Sequence, residues 1–149
     1  MLDTGLSLRP ATARDSAAIR SLIRRVHINP SGLDWRRFLV VVDRDGHLVG
    51  CGQLKRHGRD IVELASIAVE KRFRGKGIAG AIISQLVLEA PRPLYLTCRS
   101  ILGPLYAKWG FRELAPADMP DYYRRLARLM SVLMRALGPE ERLLVMVLK

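Results

Sequence analysis

The sequence predicts an α/β (α+β) fold: a mixed central sheet that begins as an antiparallel meander and carries flanking helices. Three observations lead there. Three apolar, β-rich runs, Phe38–Val42, residues 48–54 and Ile61–Val69, follow one another with only tight turns between them. From Gly77 onward the period changes, and helical stretches alternate with short strand runs. The chain has 149 residues, 49% hydrophobic and 26% charged, which is enough for one core and too apolar for a disordered tail. A meander followed by alternation also argues against a doubly wound nucleotide-binding fold, which alternates from its start.

Each element has its own local reason. Residues 6–10 read as an opening strand. Thr12 and Asp15 are cap-type residues before Ala17, Ile19, Leu22, Ile23 and Val26, an apolar set at helical spacing with Arg20, Arg24 and Arg25 on the other face. Asn29-Pro30-Ser31-Gly32 stops that helix. Arg44-Asp45-Gly46 joins the first two meander strands in the strongest short-range hairpin signal, and residues 56–60, with Gly58, make the second turn. Ile78, Ile82, Ile83, Leu86 and Val87 predict a helix up to Pro91. A strand over 94–97, a short helix over 102–109 closed by Gly110, and a strand over 111–114 follow. A long helix opens at Met119-Pro120, with an apolar stripe of Tyr123, Leu126, Leu129, Met130, Leu133, Met134 and Leu137, and Gly138-Pro139 ends it. Leu143–Leu148 closes the chain as a strand. No repeat or linker divides it, so residues 1–149 are expected to form a single domain.

Composition narrows the function classes. Two cysteines, Cys51 and Cys98, and three scattered histidines give neither a disulfide framework nor a metal-ligand pattern, so no metal is expected. No apolar run nears the roughly 20 residues of a membrane span, and the start lacks a signal-peptide pattern; a cytoplasmic protein with no membrane partner is expected. Twenty-five Lys+Arg against fourteen Asp+Glu leave a formal +11. That excess favours polyanionic partners, without choosing among nucleic acid, an anionic membrane and a polyphosphate ligand.

The informative segment runs from Glu63 through Ile67-Ala68-Val69 to Arg72-Phe-Arg74-Gly75-Lys76-Gly77-Ile78-Ala79-Gly80. A strand ends in a basic, glycine-containing loop that opens directly into a helix. Gly75 and Gly77 remove side chains that would keep a ligand off the backbone, and first-turn N–H groups point outward where the helix dipole is positive. The pattern suits a phosphate. It equally describes a glycine-containing turn with solvated cations. It is neither a Walker loop nor a dinucleotide fingerprint, since no βαβ unit surrounds it.

Arg72-x-x-Gly75-x-Gly77, after a strand ending Ile67-Ala68-Val69, resembles the acyl-CoA-binding motif of the GNAT N-acetyltransferases. The likeness extends to Leu8-Arg9-Pro10-Ala11 with Asp15 at the start and to Tyr106-x-x-x-Gly110-Phe111 late in the chain, so it covers nearly all of it. The resemblance implies a GNAT fold, acetyl-CoA (CoA) as cosubstrate and a primary amine as acceptor. It implies that the pyrophosphate sits on the amides of residues 74–80, with Arg72 beside them. The pantetheine arm then pairs along Ile67, Ala68 and Val69, where this strand and its neighbour splay apart.

The amine must lose a proton before it attacks, and Glu63 is the candidate base. Strict alternation puts Glu63 on the face of Ala65 and Ile67. An N–H near Ile67 or Ala68 can stabilise the developing oxyanion. By the same resemblance, Tyr106 is the candidate acid for the departing CoA thiolate. Each also has a structural reading, Glu63 as a salt-bridge partner and Tyr106 as packing at a helix–strand junction. A covalent route through Cys98 lacks an identified histidine partner, and most cysteines are buried packing.

For the acceptor side, His27, Asn29, Asp34, Trp35 and Arg36 are candidate lining residues. The segment from Gly110 to Met119-Pro120 and the basic helix after it resemble the C-terminal part of amino-acid N-acetyltransferases. Arg124, Arg125 or Arg128 can hold an acceptor carboxylate there, although such a run is also a usual solvated helix face. The expected acceptor is thus a small-molecule amine, foremost an amino acid, or a protein amino group. The competing class is a nucleic-acid-binding or CoA-sensing module without catalysis, for which the sequence shows no zinc ligands and no helix-turn-helix spacing. A homodimer through the apolar C-terminal stripe is a further expectation.

Overall fold

The computed structural model describes residues 2–136, 138 and 141–149. Seven strands and four α-helices occur in the described residues, in the predicted order. They fall into two compact units, Met1–Ala90 and Pro91–Lys149.

In the first unit, β1 (Ser7–Pro10), β2 (Phe38–Val42), β3 (Leu48–His57) and β4 (Ile61–Val69) pair antiparallel in sequence order. The first hairpin is shaped by Asp43, whose Oδ1 accepts from the N–H groups of Asp45 and His47, both at 2.9 Å, while Gly46 takes φ +82°. β3 runs three residues beyond its predicted end, so the second turn is only Gly58-Arg59-Asp60. The 3-10 turn Ala13–Asp15 that leads into helix α1 (Ser16–Arg25) carries a capping box: Asp15 Oδ2 accepts from Thr12 N at 2.7 Å and Arg9 pairs with the same carboxylate at 2.7 Å. The Arg9 hydrogen bond is the main reason that Asp15 stays ionised below the usual carboxylate range.

The two faces of this sheet are covered by different helices. Ile19, Leu22 and Ile23 of α1 form a core with Phe38, Val40, Val42, Cys51 and Ala68. Helix α2 (Ile78–Glu89) lies on the other face, over Gly50 and Gly52. A Cβ on Gly50 would stand 2.6 Å from Ile78 Cγ2, and one on Gly52 2.6 Å from Ile82 Cγ2. Glycine in mid-strand, normally unfavourable, is here what lets the helix approach.

In the second unit, β7 (Leu143–Leu148) lies between β5 (Leu94–Arg99) and β6 (Arg112–Glu113), antiparallel to both. Helix α3 (Gly103–Ala107) is shorter than predicted at both ends: Leu102 belongs to a 3-10 turn, and residues 108–110 form a turn. Helix α4 (Asp121–Arg135) packs against β7. Its predicted stripe is only partly used. Tyr123 and Met134 are buried, but Leu129 and Leu133 are 61% and 53% exposed, as is neighbouring Val132 at 68%. Period alone marks an apolar face, not how much sheet there is to cover it. Leu137 of that stripe and Pro139 of the stop signal lie outside the described residues. Among the described residues no helix is long and apolar enough to cross a membrane.

Candidate functional site

The basic loop has the geometry of an anion cradle. After β4 a 3-10 turn, Lys71–Phe73, leads into Gly75 at φ +80° and Gly77 at φ +78°. Both lie in the left-handed region, where glycine alone is unstrained. A Cβ on Gly75 would meet nothing within 4 Å, so the space beside the loop is open. Gly77 caps α2, and the first bond into the helix runs from Ala81 N to Gly77 O at 3.0 Å. The N–H groups of Ile78, Ala79 and Gly80 precede that bond and are the helix's unsatisfied donors. Arg72, Arg74 and Lys76 are exposed around them, with Arg72 and Lys76 each about one ring-width from Phe73, at 6.0 and 5.7 Å from its centroid. The donors and cations fit a pyrophosphate.

The strand leading to this loop is bulged. Cys51 pairs with Ala68 and Gln53 with Ala65, which leaves Ser66 and Ile67 both opposite Gly52. Ser66 takes φ +59°, a conformation that costs a non-glycine residue of order 1 kcal/mol. Two side chains hold it: Gln53 Nε2 donates to Ser66 Oγ at 2.8 Å, and Cys51 Sγ donates to Ser66 O at 3.7 Å. The bulge corrects the alternation expected from sequence. Glu63 shares its face with Ala65, but Ile67 is switched to the α2 side, its Cδ1 2.6 Å from where a Cβ of Gly52 would be.

On the face opposite α2, the two strands gather polar side chains. Glu63 is buried, and its Oε2 lies 3.4 Å from His57 Nε2. Lys55 is the register partner of Glu63 and donates from Nζ to Ser31 O at 3.1 Å. Gln53, fully buried, donates from the same Nε2 to Gly32 O at 3.2 Å, which fixes its amide orientation and leaves Oε1 without a partner. Lys55 and Gln53 thereby tie the loop after α1 to β3. Sequence reading missed Gln53, Lys55 and His57. Their alternation on β3 is visible only once the strand is carried on to His57.

The remaining candidates are described within their own units. His27 takes φ +58°, Asn29 Oδ1 accepts from Ser31 N at 3.0 Å, and Asp34 Oδ1 accepts from Arg36 N at 3.1 Å. Arg36 stacks over the Trp35 ring at 4.9 Å. These residues shape their own loop. In the second unit, half-buried Tyr106 meets Phe111 edge-on at 6.3 Å, and burial, then the nearby Cys98 sulfur, pushes its hydroxyl up to about 12. Cys98 is buried beside Met146, its sulfur 3.9 Å from the thioether, and burial followed by the Glu113 charge pushes its thiol up to about 11. A thiol in that state is a poor nucleophile. Arg124 is engaged at the start of α4, donating to Met119 O at 3.0 Å and pairing with Asp121 at 3.2 Å, whereas Arg125 and Arg128 are exposed.

Comparison with known proteins bears on the family and the fold. The acetyltransferase (GNAT) domain family matches residues 34–113, just over half of the chain. Mycothiol acetyltransferase of Rhodococcus jostii (strain RHA1) is 35% identical over 88 residues, covering 58% of this chain and 28% of that protein. The chain thus spans little more than a quarter of that relative's length. Among solved structures, Rv2747 of Mycobacterium tuberculosis in complex with CoA superposes with a TM-score of 0.72 at 22% identity, covering 96% of this chain and 99% of that one. N-acetylglutamate synthase from Neisseria gonorrhoeae, complexed with CoA and N-acetyl-glutamate, gives 0.70 at 22% identity over 99% of this chain and 36% of that one. Escherichia coli ElaA gives 0.67 at 14% identity, with full coverage of both chains. These likenesses establish the fold.

Proposed function

The chain belongs to the GNAT acetyltransferase family, and from that premise we propose that it moves the acetyl group of acetyl-CoA to a primary amine by direct transfer in a ternary complex. The acceptor is an amino acid, the protein acts in the cytoplasm, and residues 1–149 work as one acetyltransferase domain. The observation that carries the reading is the cradle itself: Gly75 and Gly77 in left-handed conformations, opening the N-terminus of α2 among exposed cations. Acetyl-CoA supplies an acyl carbon activated as a thioester; the chain supplies placement and proton handling.

The N–H groups of residues 74–80 hold the pyrophosphate, with Arg72, Arg74 and Lys76 adding charge. Ile67, Ala68 and Val69 carry the pantetheine arm, and a backbone N–H at the bulge, where Ser66 and Ile67 both stand opposite Gly52, serves the arm and the developing oxyanion. Glu63 takes the amine proton, directly or through water, as nitrogen attacks the acyl carbon and the carbon–sulfur bond breaks. His57 Nε2 lies 3.4 Å from the Glu63 carboxylate. Tyr106 stays protonated with its hydroxyl at about 12. A hydroxyl raised that far lies above an ordinary thiol, at about 8.5, so giving its proton fully to the thiolate is uphill. Tyr106 therefore acts as a hydrogen-bond donor to the leaving sulfur, which is more modest than an outright acid. A nucleic-acid-binding module finds no support in this arrangement.

Calorimetric titration of CoA-free protein with acetyl-CoA, repeated with Gly77→Glu, tests the reading. Micromolar binding that is lost in the variant is expected, because a glutamate there is strained at φ +78° and sets negative charge in the cradle. Absence of binding to the unaltered protein overturns it.

A further inference from the structure

We propose that Lys55 anchors a carboxylate of the acceptor, so that the amine acetylated beside Glu63 is the α-amine of a free amino acid; the inference rests on the acetyltransferase reading above. Lys55 and Glu63 are register partners across the β3–β4 ladder. Side chains so paired leave the sheet on one face with Cβ atoms about 5 Å apart. An amino group and a carboxylate separated by a single carbon fit across two such neighbours, the amine toward Glu63 and the carboxylate toward Lys55.

The charges on this face point the same way. Among the described residues no carboxylate lies within ion-pair distance of the Lys55 ammonium, which donates instead to the neutral carbonyl of Ser31 at 3.1 Å. A cation beside the base repels an acceptor that brings only positive charge, such as a polyamine or a lysine side chain. An acceptor carrying its own carboxylate turns that repulsion into a charge-assisted hydrogen bond. The position of Lys55 is also prepared in advance. Its stem crosses Gly32, where a Cβ would stand 2.5 Å from Cε, and Gly32 is itself held by Gln53. The arginine run of α4 is a weaker choice, since Arg124 is already committed to Met119 and Asp121.

The alternative is that Lys55 merely staples the loop, and the two roles separate in one experiment. Initial rates are measured for the common amino acids, each beside its own α-carboxamide, with the unaltered protein, Lys55→Met and Lys55→Arg. Acetyl-CoA affinity by calorimetry serves as the check on folding. The expected result is a preference for the acid over the amide, reduced roughly ten- to hundredfold in Lys55→Met through a rise in KM for the acid alone, and largely restored in Lys55→Arg. Equal losses for acid and amide, or no preference in the unaltered protein, overturn the proposal. So does failure to acetylate any amino acid while acetyl-CoA still binds. Failure to bind acetyl-CoA overturns the acetyltransferase reading instead.

Discussion

On the α2 side of the β3–β4 pair, Gly50 and Gly52 leave room for Ile78 and Ile82, and Ile67 packs among them. On the other side the same strands present Gln53, Lys55, His57 and Glu63. One face is made of missing side chains and aliphatic contacts, the other of hydrogen-bonding groups tied to a loop. The apolar face positions the helix whose first turn forms the anion cradle. The polar face holds the candidate base. The bulge at Ser66 and Ile67 lets one strand serve both, because it shifts the alternation by one residue between Glu63 and the cradle. With the cradle and the candidate base on opposite faces, the two can be damaged separately.

The largest expected effect lies on the polar face. Glu63→Gln keeps the shape and removes the candidate base, and should lower kcat by roughly a hundred- to ten-thousandfold while acetyl-CoA affinity stays unchanged. A comparable fall in affinity would mean that the two faces are not separable. On the apolar face, Gly52→Val drives methyl groups into Ile67 and Ile82 and should cost about 1–3 kcal/mol in urea denaturation. It should also weaken acetyl-CoA binding, through displacement of α2, more than Glu63→Gln does.

The bulge itself can be probed by pH. Burial raises the Cys51 thiol from 9.0 to about 12. The sign follows from linkage: the unfolded thiol ionises first, so this contribution is whole below about pH 9 and is lost as pH rises toward 12. Stability should fall by about 1 kcal/mol between pH 8 and pH 10 from this group. Cys51→Ala should flatten part of the slope, with Tyr106 and Cys98, shifted in the same direction, retaining the rest. The smallest effect is at Ser66. Ser66→Ala loses the bond from Gln53 and keeps the left-handed strain, whereas Ser66→Gly loses the bond and relieves the strain. The glycine variant should therefore be more stable than the alanine variant by about 1 kcal/mol, and equal stabilities would place the strain elsewhere.

Much of this was legible locally. The hairpin at Asp45-Gly46, the strand Ile61–Val69, the helix beginning at Ile78 and the closing strand Leu143–Leu148 all stand where turn residues and periodicity put them. The α4 stripe was legible as a pattern but not as burial, since Leu129 and Leu133 needed a surface to cover them and are exposed. The end of β3 was misread because Lys55-Arg56-His57 look like turn residues, and the polar partners of Glu63 were hidden with it.

By itself the sequence determined what depends on neighbours along the chain: that Gly75 and Gly77 open a helix amid cations, that Thr12 and Asp15 cap another, and that the meander turns where it does. Backbone sterics and capping act over a few residues, so their information is local. Only the tertiary structure decided which face each strand residue occupies, because the bulge is a property of two strands in register and not of either alone. The pairing of Glu63 with His57, the setting of Lys55 across from them and the burial that raises Cys51 and Tyr106 follow from that register and from packing.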